Sequence, residues 1–228
     1  MSNGTQRQSI SMAPLETVLS KPRLDRYRTS ANDTPRVVMG RYLWNLALCK
    51  ALYPELQFLE VAFCNRLHNA LKVHFNTAAW FELSWLSPRE SQKVADAKVE
   101  LRKRQSPLEP DRIVAELSFG FWTSLLSGLY DQVIWNQRGV VRQSLPHMPN
   151  HLRTRRRISD RMHQHRLLRN RVSHYEPIWH WSNLSQQYAD LRQTLQWLEP
   201  ELVHLLSMPQ SFEEVHLQGP GAYEVDVR

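Results

Sequence analysis

The stretch Leu168-Arg169-Asn170-Arg171-Val172-Ser173-His174-Tyr175-Glu176-Pro177-Ile178 holds the side chains best suited to chemistry in this 228-residue chain. On helical spacing Asn170 and His174 are four residues apart and share a face. Arg169 precedes His174 by five residues, which places it about 140° round the axis, and a long Arg side chain still reaches that side. A guanidinium, a carboxamide and an imidazole are therefore expected to converge on one small volume. That set suits attack at a phosphodiester. Imidazole moves a proton near neutral pH, a guanidinium steadies the charge of a phosphorane, and an amide orients the ring or a phosphate oxygen. In RNA the nucleophile is the substrate's own 2′-hydroxyl, so the chemistry asks for no metal. The bland alternative is a helix-end histidine that serves as a cap or a solvated surface residue.

The trio closes the most basic part of the chain. Lysine and arginine together number 29 against 22 acidic residues, and 23 of the 29 are arginine. Between His151 and His174 stand Arg153, Arg155, Arg156, Arg157, Arg161, Arg166, Arg169 and Arg171, opposed only by Asp160. This segment carries the whole formal excess of +7. Arginine presents a planar fork that grips phosphate at two points, where lysine is a point charge. A basic excess confined to one stretch is the footprint of a polyanion partner, so Arg153, Arg155, Arg156, Arg157, Arg161, Arg166 and Arg171 are the expected RNA contacts. A solvated, arginine-rich helix is the plain alternative.

Other chemistry is poorly served. The 7 glycines are scattered and form no phosphate-cradling loop, and neither a G-x-S-x-G elbow nor an H-E-x-x-H pair occurs. Among the 10 histidines, His163 and His165 fall on opposite sides of a helix, and Pro149 separates His147 from His151. No metal site and no cofactor are expected. Cys49 and Cys64 cannot build a disulfide framework or a cysteine-rich zinc site. Apolar runs such as Leu46-Ala47-Leu48-Cys49 fall far short of the ~20 residues of a membrane span. Residues 1–6 lack the apolar core of a secretory signal. The expectation is a cytoplasmic location with no membrane partner.

The elements that must position these groups read as helical throughout. Thr34-Pro35 opens a helix to Tyr53, with Met39, Leu43, Leu46 and Cys49 near one face. Pro54 is expected to end it and open a second, with Leu56, Leu59, Phe63, Leu67, Ala70 and Leu71 at three- and four-residue steps. Ser87-Pro88-Arg89-Glu90 combines a capping box with a first-turn proline, and the helix it opens, to about Arg104, reads as charged and exposed. Pro110-Asp111 introduces a helix through Val114, Leu117, Phe121, Leu125 and Leu129. A loop with Gly139, Pro146 and Pro149 leads to the arginine-rich helix, from about Ile158 until Pro177 stops it. The last helix has the most regular pattern: Leu184, Tyr188, Leu191, Leu195, Leu198, Leu202 and Leu205 alternate steps of four and three. That stripe reads as a core helix of a bundle, with a dimer interface as the alternative. No run alternates like a strand. The fold class is all-α, a bundle of about five long helices with extra short ones. Residues 1–12 read as a disordered leader, 13–206 as the helical domain, and 207–228 as a flexible acidic tail.

With these residues in view, Arg169 to Trp179 resembles the R-N-x-x-x-H signature of the HEPN superfamily, and its R-N-R-x-S-H-x-E-P-I form resembles the Abi-like (abortive-infection) proteins of bacteria. Tyr53 to His68 is similar to the long second helix of that family, and Trp44-Asn45, Trp80-Phe81 and Phe119-Gly120-Phe121-Trp122 also fit. The similarity covers roughly residues 14–206. The resemblance implies a HEPN-like helical domain, metal-independent RNA cleavage, and a role as a toxin or anti-phage effector. It implies Arg169, Asn170 and His174 as the catalytic set, with Glu176 as a support for the loop. Relatives commonly carry Arg-Asn in the second helix, where this chain has Cys64-Asn65; Arg66 is the possible stand-in. Glu60, Asn65 and His68 read more simply as hydrogen-bonding residues between helices. Because one chain offers one motif while the reaction wants an acid and a base, a homodimer is expected to set two motifs across one cleft. Beside the endoribonuclease stand two other readings, a non-catalytic RNA-binding module and an interaction protein held by a cognate antitoxin.

Overall fold

The computed structural model describes residues 10–206 and 211–227. They form an all-α helical bundle architecture, with one isolated parallel bridge between Ile10 and Val227 in place of any strand among the described residues. The helices are α1 (Met12–Leu19), α2 (Lys21–Asp25), α3 (Pro35–Phe75), α4 (Pro88–Lys103), α5 (Pro110–Glu116), α6 (Phe119–Ser124), α7 (Arg138–Ser144), α8 (Arg155–Ser173), α9 (Leu184–Leu198), α10 (Pro200–Leu205) and α11 (Phe212–Gln218). No helix of the described residues is long and apolar enough to cross a membrane.

The proline and serine signals decide most boundaries, with instructive exceptions. Ser87 caps α4 by accepting from the Glu90 amide. That helix is less exposed than its charge suggests, because Glu90, Val94, Ala97 and Leu101 bury one stripe. The two helices expected to meet at Pro54 are one: α3 passes through it for 41 residues. A proline removes one amide and crowds the carbonyl four residues back. The helix continues because Leu48, Leu52, Leu56, Leu59, Phe63 and Leu67 stay buried at helical steps on both sides of it. The single helix expected after Pro110 is broken instead. Leu117 is extended, and Ser118 caps a new helix by accepting from the Phe121 amide. Gly139, expected in a loop, lies in α7. The leucine stripe of the final helix is also interrupted, at Glu199-Pro200, and Leu205 is exposed. Its first five members, Leu184 to Leu198, are core residues.

The chain divides into two compact units. Unit 1 comprises residues 1–54, 170–188 and 207–228, and unit 2 comprises 55–169 and 189–206. In unit 1 the core gathers Met12, Leu24, Tyr27, Val38, Met39 and Val227, with Tyr42 and Trp179 packed against it. Two expectations for the ends are corrected here. Residues 1–9 lie outside the described residues, but Ile10 bonds the Asp226 carbonyl at 2.9 Å and Met12 is a buried start of α1. Residues 207–210 and 228 also lie outside, but the stretch from Ser211 folds. Ser211 and Glu214 close a full capping box, and Phe212 and Val215 are buried one turn apart. Phe212 stacks on Tyr188 at 4.4 Å between ring centroids, and the Val215 carbonyl accepts from Trp44 Nε1 at 2.9 Å. Glu213, Glu214 and Asp226 face outward, Glu224 packs against α3, and the few apolar residues supply the rest of the anchor.

Unit 2 is built round aromatic rings. Trp80 is fully buried and meets Phe81, Trp85, Phe121 and Trp122 within 6.4 Å. Its indole N–H donates to His68 Nδ1 at 2.9 Å. Such ring pairs contribute beyond their buried area, about 0.5–1.5 kcal/mol each.

Candidate functional site

The arginine-rich helix sorts its cations by partner. In unit 2, Arg155 pairs with Asp131 at 2.7 Å and Arg161 with Asp190 at 2.6 Å, and the Arg161 guanidinium also lies over the Trp197 ring at 5.2 Å. Arg153 donates to the Pro146 carbonyl at 2.7 Å and to Asn150 at 2.8 Å. Arg169 turns its fork onto Glu60 of α3, with Nε–Oε2 at 2.9 Å and Nη2–Oε1 at 3.4 Å. Arg155, Arg161 and Arg169 are thus answered by carboxylates distant in sequence. Arg156 and Arg157 are exposed and make no ion pair among the described residues. Arg166 lies 3.3 Å from His163 and makes no ion pair among the described residues.

The candidate residues of α3 make contacts within unit 2. Arg66 pairs with Glu199 at 2.8 Å. Cys64 is half-buried, and burial together with the nearby Glu60 charge pushes its thiol up, away from nucleophilic use. Glu60 and His68 make the hydrogen bonds expected of inter-helix residues, whereas Asn65 is exposed.

In unit 1 the end of α8 is shaped by its own backbone. Tyr175 takes a left-handed φ of 58°. The Glu176 amide then bonds the Arg171 carbonyl at 2.9 Å and the Tyr175 amide reaches the Val172 carbonyl at 3.4 Å. This pair of bonds is a Schellman motif, and it makes His174 the C-cap, its amide bonding the Asn170 carbonyl at 2.9 Å. Pro177 follows and prevents continuation. Arg171 fastens the loop from the helix side, pairing with Glu176 at 2.6 Å and lying 5.8 Å from the Trp181 ring. Glu176 is thus a loop support. Downstream, Asn45 Oδ1 accepts from the amides of Ile178 at 2.8 Å and Trp179 at 3.2 Å. Asn45 is almost fully buried, and Ile178 is buried too, so the loop after His174 is anchored on both sides.

The product is an exposed imidazole on a fixed turn. His174 lines a cavity of about 360 Å³ with Pro22, Arg23, Arg26, Tyr175, Glu176 and Pro177. Arg23 and Arg26 are exposed and make no ion pair among the described residues, although Arg28 is tied to Asp25 at 3.2 Å. Arg169 is engaged by Glu60, and Asn170 does not line this cavity. The arginines that do join the imidazole come from α2 and the residue after it. A sequence signal for them exists: Lys21, Arg23, Arg26 and Arg28 face a single Asp25 in eight residues. What no spacing rule supplies is their meeting with a residue some 150 positions away.

This cavity can hold a phosphate between two guanidiniums and present it to an imidazole. Among the described residues no group of three or more His, Cys, Asp or Glu is placed to hold a metal ion. No protein-family model, curated protein or solved structure matches the chain.

Proposed function

We propose that this protein is a metal-independent endoribonuclease of HEPN type that acts on cytoplasmic RNA as a toxin or abortive-infection effector. The observation that carries the reading is the exposed His174 imidazole sharing one open cavity with Arg23 and Arg26. The resemblance of Arg169 to Trp179 to the Abi-like signature supports it. In this reading His174 takes the proton of the 2′-hydroxyl, O2′ attacks phosphorus, and the 5′-oxygen leaves with a proton from a second acid. The products are a 2′,3′-cyclic phosphate and a 5′-hydroxyl. Arg23 and Arg26 steady the phosphorane. Asn170 and Glu176 maintain the turn that presents the imidazole, and the Arg169–Glu60 pair holds α8 to α3 within unit 2. A second chain supplies the second His174 in a two-fold homodimer.

The test is incubation of the purified protein with total RNA in EDTA. The parent cleaves, and His174→Ala loses about 10²–10⁴-fold in rate, the usual contribution of one general acid–base group. Its fold survives, since the imidazole is exposed. Arg23→Ala with Arg26→Ala loses activity without loss of stability. Cleavage by His174→Ala at the parental rate overturns the mechanism. Tight, salt-sensitive RNA binding without cleavage identifies the non-catalytic module instead.

A further inference from the structure

Unit 2 contains a second group of cations that takes no part in the catalytic step proposed above. On α8, Ser159, Asp160, His163 and Arg166 line one cavity of about 260 Å³. From α6 come Thr123, Ser124 and the bare backbone of Gly120, and from the first turn of α4 comes Arg89. Arg166 differs from its neighbours. The unit's other inward-tied arginines of α8, at positions 155, 161 and 169, each close on a carboxylate. Arg166 and Arg89 form no ion pair among the described residues, and both reach this cavity. Arg166 Nη2 lies 3.3 Å from His163 Nδ1. An arginine only donates, so Nδ1 accepts and the ring proton sits on Nε2, which remains a donor. Two guanidinium forks, an imidazole and the Ser159 hydroxyl therefore line one small space, whereas the α6 hydroxyls are engaged, Ser124 donating to the Phe121 carbonyl at 2.6 Å and Thr123 to the Gly120 carbonyl at 3.4 Å. The rim carries one counter-charge, Asp160, which the two arginines outnumber.

The cavity does not end there. A space of about 420 Å³ shares Arg89, Thr123, Ser124 and Ser159 with it and extends to Ser127, Leu129 and Tyr130. The one carboxylate in that part, Glu90, is already engaged: Tyr130 donates to it at 3.1 Å, Ser87 donates to it, and Lys93 stands 3.6 Å away. The joint space is of the size that encloses a small ligand. Its charged end suits a tetrahedral dianion with three terminal oxygens better than a planar carboxylate, because the donors come from two separate helices, α4 and α8, and not from one plane.

We propose that this cleft of unit 2 binds a phosphate monoester, with the terminal phosphate on Arg89, Arg166 and His163 and the remainder of the ligand in the adjoining space towards Tyr130 and Leu129. A monoester occurs on a free nucleotide and on the 5′ end of a nucleic-acid chain, and the experiment separates the two. The full-length protein is titrated calorimetrically with adenosine 5′-monophosphate, with adenosine, and with a short oligodeoxynucleotide carrying either a 5′-phosphate or a 5′-hydroxyl. The deoxy chain offers no 2′-hydroxyl to cleave. Binding of the monophosphate but not of adenosine supports the site with a free nucleotide as its ligand. Preference for the 5′-phosphorylated oligomer over its 5′-hydroxyl twin supports it with a chain end. The double variant Arg89→Gln/Arg166→Gln weakens either binding at least about tenfold, while its thermal unfolding stays that of the parent because neither side chain has an ion pair among the described residues. Absence of binding by every phosphorylated probe at concentrations on the order of 1 mM, or equal binding by the double variant, overturns the proposal.

Discussion

His174 and His165 lie nine residues apart on one helical stretch and show how differently two imidazoles can be used. His174 is a C-cap in an open cavity. His165 is sealed, 1% exposed, with Nε2 2.9 Å from Thr194 Oγ1. The Thr194 hydroxyl donates to the Asp190 carbonyl at 2.8 Å, so it must accept from His165. Burial drives the His165 pKa down to about 3, and repulsion from Arg161 adds to the effect. The neutral ring is thus part of the fold. The unfolded chain takes up a proton near the ordinary histidine value of 6.5, where the folded chain does not. Its contribution to stability is complete above that pH and is lost as pH falls towards 3. The slope is up to about 1.4 kcal/mol per pH unit within that window. Urea unfolding of the parent and of His165→Gln at several pH values between 7 and 4 should show a steeper acid-side decline in the parent; parallel profiles would refute the assignment. Tyr175 gives a second expectation at this scale. Its left-handed backbone costs a non-glycine residue about 1 kcal/mol, and its side chain is 71% exposed and packs little. Tyr175→Gly should be neutral or stabilising by up to about 1 kcal/mol, whereas Tyr175→Val, β-branched, should destabilise. Thermal melts of the pair decide this.

Among the elements, α3 is the one whose course local rules mislead. A proline in a helix interior costs about 3 kcal/mol, and a sequence reading rightly expects a boundary there. The buried stripe on either side of Pro54 outweighs that cost. The reverse happens after Glu116 and at Glu199, where a regular apolar pattern continues but the helix does not. Ser118 competes for the backbone as a cap, and Pro200 is preferred as a first helical residue. The signals legible in advance were those with a local mechanism, such as the Ser87 to Glu90 box and the stop at Pro177. Gly40 of α3 had no such signal. A Cβ there would stand 2.8 Å from Glu224 Cγ and 3.0 Å from the Pro220 carbonyl oxygen. The segment after α11 crosses α3 at that point, fixed also by Arg36 to Glu224 at 2.8 Å. Gly40→Ala should lower the melting temperature and loosen this crossing, seen as faster amide exchange in residues 220–227; unchanged exchange would mean the crossing tolerates a methyl group.

At the scale of the molecule, the acidic C-terminal stretch is an integral part of unit 1. Phe212, Val215 and Val227 are buried there. Full burial of one such side chain contributes about 1.5–3 kcal/mol, and removing the stretch also uncovers Trp44 and Tyr188. Deletion of residues 211–228 should therefore destabilise the protein by several kcal/mol, with a fall in melting temperature; a truncated chain that melts like the parent would show the contacts to be idle.

The amino-acid sequence by itself determined the helical class, the main caps, the stop after α8 and the presence of a basic surface. Each of these follows from period, propensity or charge acting over a few residues. Tertiary structure alone decided which cations are spent and which stay open. Glu60, Asp131 and Asp190 neutralise arginines of α8 from far away in the chain, while Arg23 and Arg26 come to His174 from the other end of the sequence. The physical reason is that a charge's role depends on the distance to its partner in space, and a folded chain sets that distance through packing that no local pattern encodes.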